Sequence, residues 1–407
     1  LLRQKRKNPV LRTRLPTLPP AARSRVALGL TAAAALGRFE LQQCRECATV
    51  QYPPREACQK CLSTLLDWKT QSGAGELLAQ TVLHHSNDLF FRERLPWRLG
   101  LVKLDCGPTV VAHLHEAVSR KVRVKAMLDR AGQAVIAALP DKETHDMADD
   151  RQLREFTCDP KHRKVLVTDG KTTLGQALVR ALADSQAELI WVGHAEPWKK
   201  FAGFDELQKI PQVTLVPLDV TDSKNVREVA AEIAGKVDIV VNNAEYHRGF
   251  GISGRQGVET ARAEMDVNYF GLLRLAQEFG PAMRSRGADG NASAVAWVNL
   301  LSIYALANFP PHGTFSASKA AAHSLAQCLR AEMRPAGVRV VNVFPGPIDD
   351  EWNQLLPPPK VTAAALAKAI VGALRDGIED VYPGDVAQEW LARWRDNPKA
   401  LERELSA

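Results

Sequence analysis

The sequence predicts a multidomain chain in which a small metal-bound unit and an all-β barrel precede an α/β doubly wound parallel sheet. Three observations carry that expectation: paired Cys-x-x-Cys knuckles, Cys44 to Cys47 and Cys58 to Cys61; short alternating apolar runs between Gly75 and Leu139; and strand–helix–strand alternation after Arg163. A length of 407 residues exceeds one ordinary core and suits two or three domains of roughly 100 to 250 residues. Apolar residues make up 45% and charged residues 24%, a balance that excludes a mainly disordered chain. No run approaches the roughly 18 apolar residues that cross a bilayer, so no membrane span is expected.

Composition sets the boundaries. Residues 1–38 read as a basic segment and helix (Ser24 to Phe39), 39–70 as the cysteine unit, 71–140 as the barrel, 141–162 as a polar linker and 163–407 as the α/β domain. Part of the net charge of +7 is concentrated in Arg3, Lys5, Arg6, Lys7, Arg12, Arg14, Arg23 and Arg25. Such a segment is a solvated tail, or it meets an anion: a cofactor phosphate, an acidic protein face or nucleic acid. The chain begins with Leu1 rather than Met, and its first residues lack the apolar core of a signal peptide, so a cytoplasmic protein is expected. Seven cysteines, four of them clustered, point to metal ligation in a reducing compartment rather than to disulfides.

Each Cys-x-x-Cys turn places two thiolates on one tight loop, and two turns complete a tetrahedron. Cys44, Cys47, Cys58 and Cys61 therefore read as a closed four-sulfur zinc site with a structural role; a rubredoxin-type iron centre and four unconnected thiols are the alternatives. The barrel strands are read at Leu77 to Val82, Leu99 to Leu104, Thr109 to Leu114 and Val122 to Ala126. In the α/β half, strands are expected at Lys164 to Thr168, Glu188 to Val192, Val213 to Leu218 and Ile239 to Val241, with helices at Gly175 to Asp184 and Ser223 to Ala234.

The ribbon text, Cys44-x-x-Cys47, Tyr52-Pro53-Pro54-Arg55 and Cys58-x-x-Cys61, is followed by Gly75, Leu95-Pro96-Trp97 and Leu101-Val102-Lys103-Leu104-Asp105-x-Gly107. Over residues 20 to 140 it resembles the acyl-CoA-associated OB-fold proteins that carry a rubredoxin-like zinc ribbon. The resemblance implies a thiolase-like or aldolase-like partner subunit and a CoA thioester as ligand. OB barrels also bind single-stranded nucleic acid through stacking aromatics spread over adjacent strands. Here Phe90, Phe91 and Trp97 cluster in one loop-like segment, which argues against nucleic acid.

Over residues 163 to 385 the chain resembles the short-chain dehydrogenase/reductase family, a Rossmann-type fold. The resemblance rests on Val167 to Gly175, Asp219-Val220-Thr221, Asn242-Asn243-Ala244, Asp266-Val267-Asn268, Ser302, Phe315-x-x-x-Lys319 and Pro345-Gly346, in the family's order. The family's turn is T-G-x-x-x-G-x-G, whose glycines let the backbone approach a pyrophosphate. Here Thr168 and the last glycine, Gly175, remain, while Asp169 and Thr173 replace the first two, which weakens NAD(P) binding. Lys171 is placed to compensate by meeting a phosphate. Gly193-His194-Ala195, after the second strand, encodes neither cofactor choice, and Glu245 replaces the glycine of Asn-Asn-Ala-Gly.

The family's reaction needs a tyrosine that transfers a proton, a lysine that lowers its pKa and a serine that holds the substrate oxygen. Ser302 stands thirteen residues before Phe315 and Lys319 four after it, so Phe315 occupies the tyrosine's register. Ser302, Lys319 and Asn268 remain as a vestigial set, with a cost of roughly 100 to 10,000-fold in rate for the missing acid. Tyr304 is the conceivable replacement; His247 and His312 read as solvated loop histidines. In this family helices near Gly257 to Met283 and Ser316 to Met333 form a dimer interface. The second carries Ala317, Ala320, Ala321, Ala322 and Ala326, which implies a homo- or heteromeric dimer or, for some of these alanines, packing on their own sheet.

The sequence thus points to an accessory or scaffold subunit of a thiolase-like or aldolase-like acyl-CoA enzyme, with a dehydrogenase-like domain that lacks its catalysis. The alternatives are an NAD(P)-dependent oxidoreductase acting on 3-hydroxyacyl-CoA or 3-oxoacyl-CoA, and a nucleic-acid-binding scaffold.

Overall fold

The structure, a computed structural model, describes residues 16–141, 147–254, 256–287 and 293–406. The chain divides into two compact units, one over Thr17–Cys158 with Arg375–Ile378, the other over Asp159–Leu374 and the stretch from Glu379 onward. Of the basic N-terminal residues, Arg23 and Arg25 are described; Arg3, Lys5, Arg6, Lys7, Arg12 and Arg14 lie outside the described residues. No helix among the described residues is long and apolar enough to cross a membrane.

The first unit opens with α1 (Leu28–Ala35), shorter than expected because Gly37, in the left-handed region at φ 69°, ends it. Gly29 is required by close packing: a Cβ there would lie 2.1 Å from the Trp68 indole. An antiparallel sheet of order β2-β1-β3 follows, made of β1 (Glu40–Cys44), β2 (Val50–Gln51) and β3 (Leu66–Thr70). Next come β4 (Ala74–Leu83), α2 (Leu89–Arg92), β5 (Trp97–Leu104), β6 (Thr109–Leu114), β7 (Lys121–Leu128) and β8 (Ala134–Pro140). The five strands close a barrel in the order β4-β5-β6-β8-β7. Alternation fills its interior with Val102, Leu104, Val110, Ala112, Leu114, Val122, Val124 and Ile136, against Leu30 and Ala34 of α1. Each large side chain contributes roughly 1.5–3 kcal/mol by leaving water.

The strand β8 escaped the sequence reading because it is apolar on both faces. Ile136 and Ala138 point into the barrel, while Ala137 and Leu139 join a second cluster on its outside with Phe90, Trp97, Met127, Met147, Leu153 and Phe156. Two expectations change here. Phe90 and Trp97 are not loop-like; they lie in α2 and β5 and are 1% exposed. Part of the stretch read as a polar linker is also core, because Met147, Leu153 and Phe156 cover that outer face. The carboxylate of Asp150 fixes the segment: it is fully buried, pairs with Arg98 at 2.6 Å and accepts from the backbone N–H groups of Glu116, Gln152 and Leu153. Hydrogen bonds of this kind let a polar segment be buried without an unsatisfied charge.

The second unit alternates strand and helix: β9 (Lys164–Val167), α3 (Thr173–Asp184), β10 (Leu189–His194), α4 (Phe204–Gln208), β11 (Val213–Pro217), α5 (Ser223–Ile233) and β12 (Ile239–Asn242). There follow α6 (Glu259–Met265), a π-helical turn at Asp266–Gly271, α7 (Leu272–Arg286), β13 (Ala296–Leu300), α8 (Gly313–Met333) and β14 (Arg339–Val343). The chain closes with α9 (Ala363–Asp376), β15 (Asp380–Val381), α10 (Asp385–Asp396) and α11 (Pro398–Glu404). All seven strands run parallel in the order β11-β10-β9-β12-β13-β14-β15. Helices on both faces bury the central strands, which read as unbroken apolar runs such as Val165 to Val167. Strand order reverses between β9 and β12, so the crevice of this sheet lies at the carboxyl ends of those two strands.

Candidate functional site

The two cysteine knuckles are the same turn used twice. In each, the N–H of the residue after the second cysteine bonds the carbonyl of the first cysteine, Ala48 to Cys44 and Leu62 to Cys58, both at 3.0 Å. Those two residues take φ of 57° and 63°, unusual for side chains larger than glycine. The turns bring the four sulfurs within 4.8 Å of one another, with Cys44 to Cys61 and Cys47 to Cys58 at 3.5 Å. Four ligands about 2.3 Å from one zinc ion lie roughly 3.8 Å apart, so the set fits that ion. All four sequence-predicted ligands are gathered, and a closed four-sulfur shell leaves no position for water.

At the crevice of the parallel sheet, Thr168 and Asn243 tie the ends of β9 and β12 together. The Thr168 hydroxyl accepts from the N–H groups of Asn243 and Ala244 at 3.0 Å and lies 3.3 Å from the Asn242 side-chain oxygen. Gly175 survives in the turn because a Cβ there would sit 2.0 Å from the Asp169 carbonyl oxygen. At the start of α3 the Thr172 hydroxyl accepts from Gly175 N–H at 3.0 Å, so one of the helix-end donors is capped within the chain. The Asp169 carboxylate folds onto the Lys171 N–H at 2.8 Å, and burial pushes its pKa up. Thr173 is exposed at the start of α3, and Asp219 is held in its own turn by the N–H and hydroxyl of Thr221. Lys171 pairs with Glu196 at 2.7 Å, which raises its pKa, so it is committed within the protein.

Ser302, Asn268 and Lys319, the set expected from the sequence, do assemble around Phe315. Ser302 follows β13, is 5% exposed, and its hydroxyl accepts from Tyr304 N–H. Phe315 and Lys319 sit one turn apart on α8, the ammonium 5.4 Å from the ring centre. Asn268, in the π-helical turn, clamps the segment after β12: it donates to the Tyr246 carbonyl at 2.9 Å and accepts from the Tyr246 N–H at 3.0 Å. That clamp delivers Glu245, whose carboxylate pairs with the Lys319 ammonium at 2.7 Å. Lys319 also donates to the Leu300 carbonyl at 3.0 Å and is 1% exposed.

His247 and His312 are buried, not solvated. The His247 ring stacks on Phe315 with centres 3.8 Å apart, and its Nε2 lies 2.8 Å from His312 Nδ1. Burial pushes the His247 pKa down to about 4, so this ring is neutral near pH 7 and no ready proton donor. Tyr304 is buried and stacked on Phe309 at 5.1 Å, and burial raises its phenol pKa. The remaining cleft is narrow and is lined by Glu245, His247, Ser302, Tyr304, Phe315 and Asn353 among others. Sequence reasoning missed the Glu245 pairing and the histidine pair, because their partners come from distant segments.

Three family matches cover the chain in order: the ChsH2 rubredoxin-like zinc ribbon domain over residues 31–67, the ChsH2 C-terminal OB-fold domain over 68–130, and short chain dehydrogenase over 163–359. Dehydrogenase/reductase SDR family member 7C of Xenopus tropicalis is 30% identical over 242 residues, spanning 57% of this chain and 73% of that protein. An uncharacterized oxidoreductase of Staphylococcus aureus is 28% identical, covering 51% and 89% respectively. The crystal structure of a short chain dehydrogenase from Burkholderia cenocepacia in complex with NADP is 34% identical, with a TM-score of 0.55, over 61% of this chain and 99% of that one. A Streptomyces avermitilis short-chain dehydrogenase, 24% identical with a TM-score of 0.52 over 60% and 97%, shares the fold. The chain therefore belongs to the short-chain dehydrogenase/reductase family and carries, ahead of that domain, a ChsH2-type zinc ribbon and OB-fold.

Proposed function

We propose that this protein is an accessory or scaffold subunit of a thiolase-like or aldolase-like enzyme acting on acyl-CoA, and that its dehydrogenase-type domain is non-catalytic. One observation carries the reading: Phe315 stands where the reaction needs a proton donor, while Lys319 is closed in an ion pair with Glu245. The ribbon and barrel dock the partner and help hold the CoA thioester, in line with the resemblance of that half. Cys44, Cys47, Cys58 and Cys61 hold a structural zinc that fixes the two knuckles and takes no part in chemistry.

The dehydrogenase-type domain dimerises the assembly. On α8, Ala322 and Ala326 are spent on the unit's own core, whereas Ala317 is exposed and Ala320 and Ala321 are half-buried on the open face. Nucleic acid is disfavoured because Phe90 and Trp97 are packed inside. An active reductase using Tyr304 is disfavoured by the buried, stacked ring, whose raised pKa makes proton release harder.

The test is NADPH-dependent reduction of a 3-oxoacyl-CoA, with co-purification of a thiolase-fold subunit measured in parallel. The wild type is expected to turn over nothing, and activity to appear only when the turn is restored together with the acid, in Asp169→Gly/Thr173→Gly/Glu245→Gly/Phe315→Tyr. Wild-type turnover that disappears in Lys319→Ala would establish the oxidoreductase instead. A chain that neither retains nor stimulates a thiolase-fold enzyme would remove the accessory role.

A further inference from the structure

We infer that a cavity of the dehydrogenase-type unit, separate from the cleft beside Phe315, binds an apolar α-amino acid. The inference is independent of the accessory role proposed above. The cavity measures about 240 Å³ and lies where three segments meet: the turn after β14, the approach to α9 and the approach to α10. It shares only Gly346 and Pro347 with the cleft.

The walls are tied together within the chain. Val361 N–H donates to the Pro347 carbonyl and Asp349 N–H to the Val361 carbonyl, each at 2.9 Å, around the bridge of Ile348 to Val361. Gly384, at φ 88°, brings in the third wall: a Cβ there would lie 3.3 Å from the Val361 Cβ, and a Cβ on Gly346 would lie 3.0 Å from that of Val386. Pro347, Pro359 and Pro383 stiffen the lining, because a ring-locked φ leaves less freedom to lose on binding. Val361 and Val386 add further apolar surface.

Charge sets the ligand. Lys360 and Asp385 are the only charged residues among the lining, and neither forms an ion pair among the described residues, with each other or elsewhere. The Lys360 ammonium has one contact, with the Gln354 carbonyl at 3.4 Å, long for a hydrogen bond. Glu389, one helical turn beyond Asp385, is spent on Arg393 at 2.9 Å. A simple anion would be drawn to Lys360 and repelled by Asp385, and a simple cation the reverse. A molecule that carries both charges satisfies both residues. Its remaining part must be apolar to match the walls, and smaller than the ligands of pockets measuring roughly 300–1,000 Å³. An α-amino acid with a branched apolar side chain meets all three demands, its carboxylate toward Lys360, its ammonium toward Asp385 and its side chain on the prolines and valines.

Calorimetric titration of the full chain with L-leucine, 4-methylpentanoate, 3-methylbutylamine and glycine tests the assignment. The two middle probes each lack one charge of leucine, and glycine lacks the side chain. Leucine is expected to bind with a dissociation constant below about 1 mM, and each other probe about tenfold or more weakly. Lys360→Met should lower leucine to the level of 3-methylbutylamine, and Asp385→Asn to that of 4-methylpentanoate. Ala365→Phe, a change on the exposed first turn of α9 that fills the cavity, should abolish binding with an unchanged circular dichroism spectrum. No saturable binding of leucine to the wild type below about 10 mM would overturn the site, as would any single-charge probe or glycine binding as tightly as leucine. Leucine binding that survives Ala365→Phe unchanged would do the same. None of these outcomes bears on the accessory role, which turns on the thiolase-fold partner and the reductase assay.

Discussion

At residue scale, Glu245 gives the buried Lys319 ammonium an opposite charge at 2.7 Å. Removing a carboxylate from such a pair leaves an unpaired buried charge, at a cost of about 3–5 kcal/mol. Glu245→Leu is therefore expected to lower stability by that order in a denaturant titration, and Glu245→Leu/Lys319→Met to recover most of it. His247 gives a pH signature. Its folded pKa of about 4 lies below the usual histidine value, so the native state binds the proton less readily than the unfolded chain. Its stabilisation is complete above about pH 6.5 and is lost as pH falls toward 4, on the order of 3 kcal/mol in all. Denaturant midpoints measured from pH 7 to 4 should fall less in His247→Phe, which keeps the stack on Phe315 without a titrating ring.

Legibility at this scale followed sequence distance. Phe315 in the tyrosine's register was readable because Ser302, Phe315 and Lys319 keep a local spacing. The fate of Lys319, and the burial of His247 against His312, depend on segments that meet only once α8 packs beside the end of β12, and no local pattern encodes that.

Among the elements, the knuckles were fully legible because four cysteines at fixed spacing have one economical arrangement. Their structural role is open to measurement: about one zinc per chain is expected by elemental analysis, and a strong chelator or Cys58→Ser should unfold the ribbon. Full ellipticity and an unchanged melting temperature after metal removal would contradict a structural ion. The barrel was legible by alternation except at β8, whose two apolar faces hide the period of two. The segment Met147 to Phe156 looked like a linker because its polar residues dominate the text. Their use becomes clear only in space, where Asp150 gathers Arg98 and three backbone N–H groups. Asp150→Ala is expected to cost about 3–5 kcal/mol in a denaturant titration by stranding those donors.

At the scale of the whole molecule, the sequence identified the order of domains because each has its own period and its own punctuation. What it left open was how the α8 alanines divide between the core and an open face. Sedimentation is expected to show a dimer that Ala321→Glu converts to monomers; a monomeric wild type would remove dimerisation from the account. The central claim remains that the dehydrogenase-type crevice no longer works as a dinucleotide site, and calorimetric titration of the full chain with NADH tests it most directly. No saturable binding is expected below about 1 mM; a dissociation constant near 1 μM, about 4 kcal/mol stronger, would contradict the claim and make Phe315 a question of mechanism rather than of lost activity.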